Sequence, residues 1–176
     1  LGAFGVKGLR ILVDGDANDY VGKGLSGATI VVRPPLGSPL VAADNTIIGN
    51  TVLYGATAGR LFANGRAGER FGVRNSGATV VIEGCGTNGC EYMTGGVAVI
   101  LGSVGANFGA GMTGGMAYVY DPEGRFDDMV NRETLVTAPV TVAHWVNQLE
   151  ELIEDHLAET RSAKAADILR RWDEEL

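Results

Sequence analysis

The sequence predicts an all-β chain, a right-handed parallel β-helix (solenoid) over residues 1–126, with an α-helical tail. Three observations lead there. Glycine makes up 27 of 176 residues and never occurs after Gly124, against a usual share of about 7%. Four gapless stretches of seventeen residues repeat one pattern: 18–34, 68–84, 86–102 and 105–121. Residues 139–176 carry nine acidic and four basic side chains and no glycine, so their physics differs from that of the body.

In the repeat, the tenth position is glycine in every copy (Gly27, Gly77, Gly95, Gly114), and a hydroxyl residue precedes it (Ser26, Ser76, Thr94, Thr113). Each copy runs into a short apolar stretch, TIVV, TVVI, VAVI or MAYV, which reads as a strand. An imperfect fifth copy passes through Gly55 to Phe62. The last three copies start 18 and 19 residues apart. A βαβ unit needs about 30 residues, so this spacing suits one solenoid coil, whose strands pair with the coils above and below at about 4.8 Å. Parallel crossovers are right-handed in nearly all cases, which sets the expected hand. Glycine serves such coils where φ is positive or where backbones approach closely. Asn50, Asn64, Asn75, Asn88 and Asn107 are expected to share the left-handed region. An antiparallel sandwich would explain the strands but not their constant spacing.

The stretch Asp127–Thr137 with Pro139 reads as a hinge, giving a linker at 127–138 and a helical tail at 139–176. Val142, Trp145, Val146, Leu149, Leu152, Ile153 and Leu157 form one apolar stripe, with Glu150, Glu151, Glu154 and Asp155 expected on the water side. A second helix is expected to start at Ser162 as N-cap and to bury Ile168, Leu169 and Trp172. Such a tail suits capping the solenoid end or docking on another domain, and its sequence leaves both open.

Candidate chemistry is sparse. Residues 22–27, GKGLSG, match the G-x-G-x-x-G spelling of a dinucleotide-binding turn. A strand follows them instead of the helix that would hold the pyrophosphate, so they read as part of the first aligned repeat copy. Cys85 and Cys90 lack further thiols or nearby histidine for a metal and are expected as small buried side chains in a reduced compartment. His144 and His156 are expected to be exposed or to cap a helix. Arg60, Arg66, Arg70 and Arg74, with Glu69, form the most suggestive polar group. They would bind an anion or, by preference, make ion pairs along an interface between domains. Glu83 and Glu91 fall at turns without an accompanying nucleophile. No catalytic, cofactor-binding or metal-binding residue is therefore assigned. With most of the net charge of −7 in the tail, the body is near neutral, which argues against nucleic acid or an anionic membrane as partner. No apolar run approaches the ~18 residues of a membrane span. The opening Leu-Gly-Ala-Phe reads as the interior of a longer polypeptide.

The runs GDANDYVGKGLSG (15–27), GNTVLYGATAGRLFANGRAGERFGVRNSGA (49–78), CEYMTGG (90–96) and NFGAGMTGGMAYVYD (107–121) resemble the C-terminal glycine-rich β-helix (GXGXG) domain of the glutamate synthase large (α) subunit. The tail around TRSAKA (160–165) is similar to that subunit's C-terminus. The resemblance implies a cytoplasmic oxidoreductase that moves the amide nitrogen of glutamine onto 2-oxoglutarate, yielding two glutamates. It implies an amidotransferase domain and a barrel with FMN and an iron–sulfur cluster elsewhere in the polypeptide. A small flavoprotein/iron–sulfur subunit is a further implied partner, and the donor (NADPH, NADH or ferredoxin) stays open. The β-helix itself would be a non-catalytic spacer. The alternatives are a β-helix subunit of another redox complex, such as formylmethanofuran dehydrogenase, and, less well supported, a carbohydrate-acting β-helix enzyme.

Overall fold

Each apolar run of the repeat is unbroken rather than alternating, which a strand tolerates when both of its faces are covered. The computed structural model, describing residues 1–176, shows how. Strands β1 (Arg10–Asp14), β2 (Ser26–Arg33), β4 (Ala58–Ala63), β6 (Ser76–Ile82), β7 (Thr94–Ile100) and β8 (Gly114–Val119) form one all-parallel sheet in that order. Between them, β3 (Thr46–Ile48) and β5 (Arg66–Ala67) pair in parallel on a second side. The chain is a parallel β-solenoid of six coils.

The register fixes the coil length. Arg10, Thr29, Arg60, Thr79, Val97 and Met116 occupy one row across the sheet, with steps of 19, 31, 19, 18 and 19 residues. The long step carries about twelve extra residues after Arg33, a loop with Pro34, Pro35 and Pro39 that exposes Leu36, Leu40 and Val41. The coil of β1 is absent from the four aligned copies, because Lys7 stands where they carry Ser or Thr.

Side chains alternate across the sheet. Ile30, Leu61, Val80 and Ala98 point inward and join Ile48, Leu53, Phe71, Met93 and Phe108 in a core that fills the solenoid axis. Val31, Phe62, Val81, Val99 and Tyr118 point outward and are buried too. Their cover is α2 (Ala143–Thr160), through Leu152 and Ile153, and α3 (Ala163–Arg170), through Ala165 and Ile168. The tail thus lies along the flank of the stack, crossing β2, β4 and β6. Of the expected stripe, Leu152 and Ile153 are buried, while Val142 and Trp145 stand exposed where α2 begins.

The far end is covered by other residues. Phe126, at the start of α1 (Phe126–Met129), packs edge-on against Phe108 at 5.6 Å between ring centres. Met129 C=O accepts from the Phe108 N–H, and the Asn131 N–H donates back to Phe108 C=O. Asn131 also extends a side-chain amide ladder, donating to Asn107 (2.9 Å), which donates to Asn88 (2.8 Å). A short α4 (Trp172–Glu175) ends the chain.

Two sets of positions show different causes for glycine. On the third side of the solenoid, alternate residues in each coil take φ between 52° and 74°. The rows are Tyr20, Thr51, Arg70, Asn88, Asn107, then Gly22, Leu53, Gly72, Cys90, Gly109, then Gly24, Gly55, Arg74, Tyr92, Gly111. Their N–H groups alternate between neighbouring coils. Thr51 donates forward to Glu69 C=O, and Leu53 donates back to Val21 C=O. Gly22 and Gly24 of GKGLSG belong to these rows. The second set is the tenth-position glycine of the repeat. Gly77 has no left-handed φ, but a Cβ there would lie 2.8 Å from the Thr57 carbonyl carbon and nearer still to its oxygen.

The asparagines depart from expectation. Only Asn88 and Asn107 take positive φ. Asn75 instead closes an Asx turn, accepting from the N–H groups of Gly77 (3.2 Å) and Ala78 (2.9 Å). Asn50 Oδ1 accepts from the Glu69 N–H at 2.7 Å, and Asn64 donates to the tail. Their side chains provide acceptors and donors between turns that the backbone alone leaves open.

Candidate functional site: the seam between solenoid and tail

Polar side chains are rarely buried without a partner, so fully buried ones mark what the fold depends on. Glu83, directly after β6, is 1% exposed, while His156 in α2 and Ser162 before α3 are 0% exposed. They meet at one carboxylate oxygen. Ser162 Oγ donates to Glu83 Oε1, and His156 Nε2 lies 3.4 Å from the same atom. The Ser162 oxygen accepts from the Ala165 N–H at 3.0 Å, making it the N-cap of α3 as its sequence predicts. Around this centre Thr160 Oγ1 donates to His156 C=O (2.6 Å) and Asn64 Nδ2 donates to Thr160 C=O (3.2 Å). Asn64 and Glu83 follow the ends of their strands, so two adjacent corners of the stack hold the α2–α3 junction.

One expectation is corrected here. His156 is neither exposed nor a cap: the outward apolar face of the sheet draws α2 down and carries the imidazole with it, 6.2 Å from the Phe62 ring centre. Glu83 follows the end of β6, at a turn as expected, and the tail covers it. His144 stays on the surface, beside Trp145. The Ser–Glu–His set has the wrong order for nucleophilic catalysis, which places the imidazole between hydroxyl and carboxylate. Here the carboxylate sits in the middle and the serine oxygen is occupied by capping. The arrangement is a clasp.

Ion pairs flank it. Arg10 pairs with Glu159 (Nη1–Oε1 3.0 Å), Arg33 donates to Glu159 C=O at 2.8 Å and to Asp14 at 2.8 Å, and Arg60 pairs with Asp155. Asp155, expected to face water, is thus held by the body. The hydrogen bond from Arg10 holds the Glu159 carboxyl below its ordinary range, and that from Arg33 does the same for Asp14. All are partly exposed, so solvent screens them and each contributes little to stability.

The arginines expected as a group are separated. Arg60 faces the tail, Arg66 donates to Ser103 Oγ (2.9 Å) on another side, Arg70 pairs with Glu91 (3.2 Å) on the next coil, and Arg74 lies over the Tyr92 ring. All four fall within a single coil, between Arg60 and Thr79 of the register row, so the turning chain distributes them around it. The pairing between body and tail agrees with the ion-pair reading for Arg60. Glu91 therefore serves Arg70 and is no acid–base partner of Glu83. Cys85 and Cys90 are free and buried in the core. Burial pushes the Cys85 thiol up to about 12 and Cys90 well above its ordinary value, so both are unreactive packing groups. Residues 22–27 lead into β2, and no helix opens there.

A groove of about 630 Å³ runs between the proline-rich loop and the α2–α3 corner, with Asn64 and Glu83 in its floor. No helix is long and apolar enough to cross a membrane.

Known proteins resemble this chain over nearly its whole length. The chain is 65% identical over its whole length to the glutamate synthase [NADPH] large chain of Azospirillum brasilense, of which it spans 12%. It is 53% identical over 98% of its length to the ferredoxin-dependent glutamate synthase of Pyropia yezoensis (11% of that protein), and 51% identical over 96% to the glutamate synthase [NADH] of Schizosaccharomyces pombe (8%). The chain therefore spans about a tenth of the length of these relatives. The family described as GXGXG motif matches residues 1–176. The chain belongs to the GXGXG motif family.

Proposed function

We propose that this chain is the non-catalytic structural segment of a glutamate synthase large subunit. That enzyme would convert glutamine, 2-oxoglutarate and reductant to two glutamates in the cytoplasm. The observation that carries the reading is end-to-end similarity at 65% to a segment making up 12% of such a large chain. Relatives named for NADPH, ferredoxin and NADH resemble the segment at 65%, 53% and 51%. This favours a role that does not depend on the electron donor.

Physical properties support a spacer. A sheet buried on both faces and an axis filled with side chains make a stiff body. They also leave no path for ammonia along the axis, so the segment would arrange the route from outside. FMN and the iron–sulfur cluster are proposed for other domains of the polypeptide. The residues here do not fit a cluster: its usual four thiolates compare with two core thiols that burial keeps protonated. Residues 1–126 would form the spacer body, 127–138 the connection and 139–176 the strap that holds the coils. Other domains of the same chain are its proposed partners, with a small flavoprotein/iron–sulfur subunit as a further one.

The test is to delete the segment from the full-length large subunit. Glutamine hydrolysis and bound FMN should survive, while glutamine-dependent glutamate formation should fall and the exogenous-ammonia reaction should fall less. Loss of FMN in stoichiometric proportion to the deletion would place cofactor binding in this segment and end the proposal.

A further inference from the structure

Cations normally find carboxylates at a protein surface, so unpaired ones that share a cleft are informative. Arg66 and Lys164 both line a cleft of about 380 Å³ beside the corner Gly102-Ser103-Val104. Neither has a carboxylate within 4.0 Å, in contrast to Arg10, Arg33, Arg60 and Arg70. Each is laid across a glycine. A Cβ on Gly84 would meet the Arg66 guanidinium at 2.5 Å, and one on Gly102 would meet Lys164 Nζ at 3.1 Å. Adjacent coils thus leave the room these side chains occupy. Arg66 is further fixed by its hydrogen bond to Ser103 Oγ.

The backbone adds donors. Leu101 N–H pairs with Ile82 C=O and Gly105 N–H with Gly86 C=O, but the N–H groups of Gly102, Ser103 and Val104 between them meet no protein acceptor. Gly102 is nevertheless buried. Buried backbone donors are paired in the great majority of cases, and an orphan signals a bound water or ion. These free N–H groups line the same cleft as the two cations.

Carboxylates also line the cleft, and most are engaged. Asp121 accepts from the N–H groups of Arg125 (2.9 Å) and Phe126 (2.8 Å), and Glu123 pairs with Arg125 at 3.0 Å. Asp44 alone has no partner.

We propose that this cleft is an oxyanion site, taking the phosphate or carboxylate group of a small anionic metabolite between Arg66, Lys164 and the Gly102–Val104 corner. The site lies outside the clasp and does not depend on the glutamate synthase reading.

The experiment is titration of the 176-residue chain with inorganic phosphate and, separately, with succinate, followed by amide NMR at constant ionic strength. Saturable shifts at Gly102, Ser103 and Val104 are expected, with affinity in the millimolar range. Lys164→Ala, whose ammonium makes no bond the fold requires, should weaken binding about tenfold, the worth of one charge-assisted contact. Asp44→Asn should tighten it, and Arg125→Ala should change it little because Glu123 already engages that guanidinium. Saturation by phosphate alone assigns a phosphoryl ligand, and saturation by both assigns any small oxyanion. Shifts that stay linear with concentration for both anions, or wild-type binding by Lys164→Ala, would overturn the proposal.

Discussion

Replacing Gly77 with alanine separates the two reasons for glycine in this chain. The added Cβ would sit 2.8 Å from the Thr57 carbonyl carbon, nearer still to its oxygen, and the obstacle is backbone. Ordinary contact begins near 3.4 Å, so β4 and β6 must part by at least about 0.6 Å, lengthening hydrogen bonds on both sides. Overpacking of this kind costs about 1–3 kcal/mol. A backbone obstacle cannot rotate away, so the upper end applies. Stiffening of the unfolded chain returns about 0.4–1 kcal/mol, leaving roughly 2 kcal/mol of net destabilisation. Gly55→Ala is the control. Gly55 has φ 66° and nothing within 4 Å of its Cβ position. The left-handed penalty of about 1–2 kcal/mol is partly offset by the same unfolded-state gain, leaving about 0.5–1 kcal/mol. Urea unfolding followed by circular dichroism, with the slope m unchanged, reads both. With m of about 2 kcal/mol/M, Gly77→Ala should lower the midpoint by about 1 M and Gly55→Ala by less than half that. Equal midpoint shifts, or a larger one for Gly55→Ala, would refute the assignment of tenth-position glycines to coil stacking.

Ser162→Ala removes the α3 cap and leaves Glu83 Oε1 without its hydroxyl donor, so a loss of about 2–3 kcal/mol is expected; Ser162→Thr, which keeps the hydroxyl, should recover at least half. The carboxyls of Asp14 and Glu159 are held low by Arg33 and Arg10 in the folded chain. Their contribution is therefore present above the unfolded values of about 3.9 and 4.3 and lost as pH falls through the lower folded ones. Tail docking, followed by Trp145 and Trp172 fluorescence, should weaken below about pH 4 and be flat from 5 to 8 as far as this pair is concerned. Cys85 and Cys90 should resist a thiol reagent at pH 8 in the native chain and react promptly in urea; fast native labelling would contradict their burial.

The repeat was legible because Ser26-Gly27, Ser76-Gly77, Thr94-Gly95 and Thr113-Gly114 mark a steric requirement shared by four of the six coils, the β4 coil carrying Thr57-Ala58 instead. Where that mark is replaced, by Lys7-Gly8 in the first coil, or delayed, by the loop after Arg33, the pattern breaks and the coil count cannot be read. Ser162 announced itself because capping is local chemistry. His156 and Glu83 did not, since each looks like a surface residue until the outward face of the sheet pulls α2 over it. The available sign was the sheet itself: TIVV and TVVI have too few polar residues to leave one face in water. Left-handed backbone at Tyr20, Thr51 or Leu53 leaves no trace in residue type, because hydrogen bonds to the neighbouring coils impose it.

The lengthwise position of α2 changes how such a stack comes apart. An array whose members touch only their neighbours frays from its tips, losing one layer at a time. A rod fastened across several layers, pinned at Glu83, Asn64, Arg60 and Arg10, makes the inner layers fail together. Strain applied by attached domains would then be shared along the whole splint instead of peeling the outermost turn.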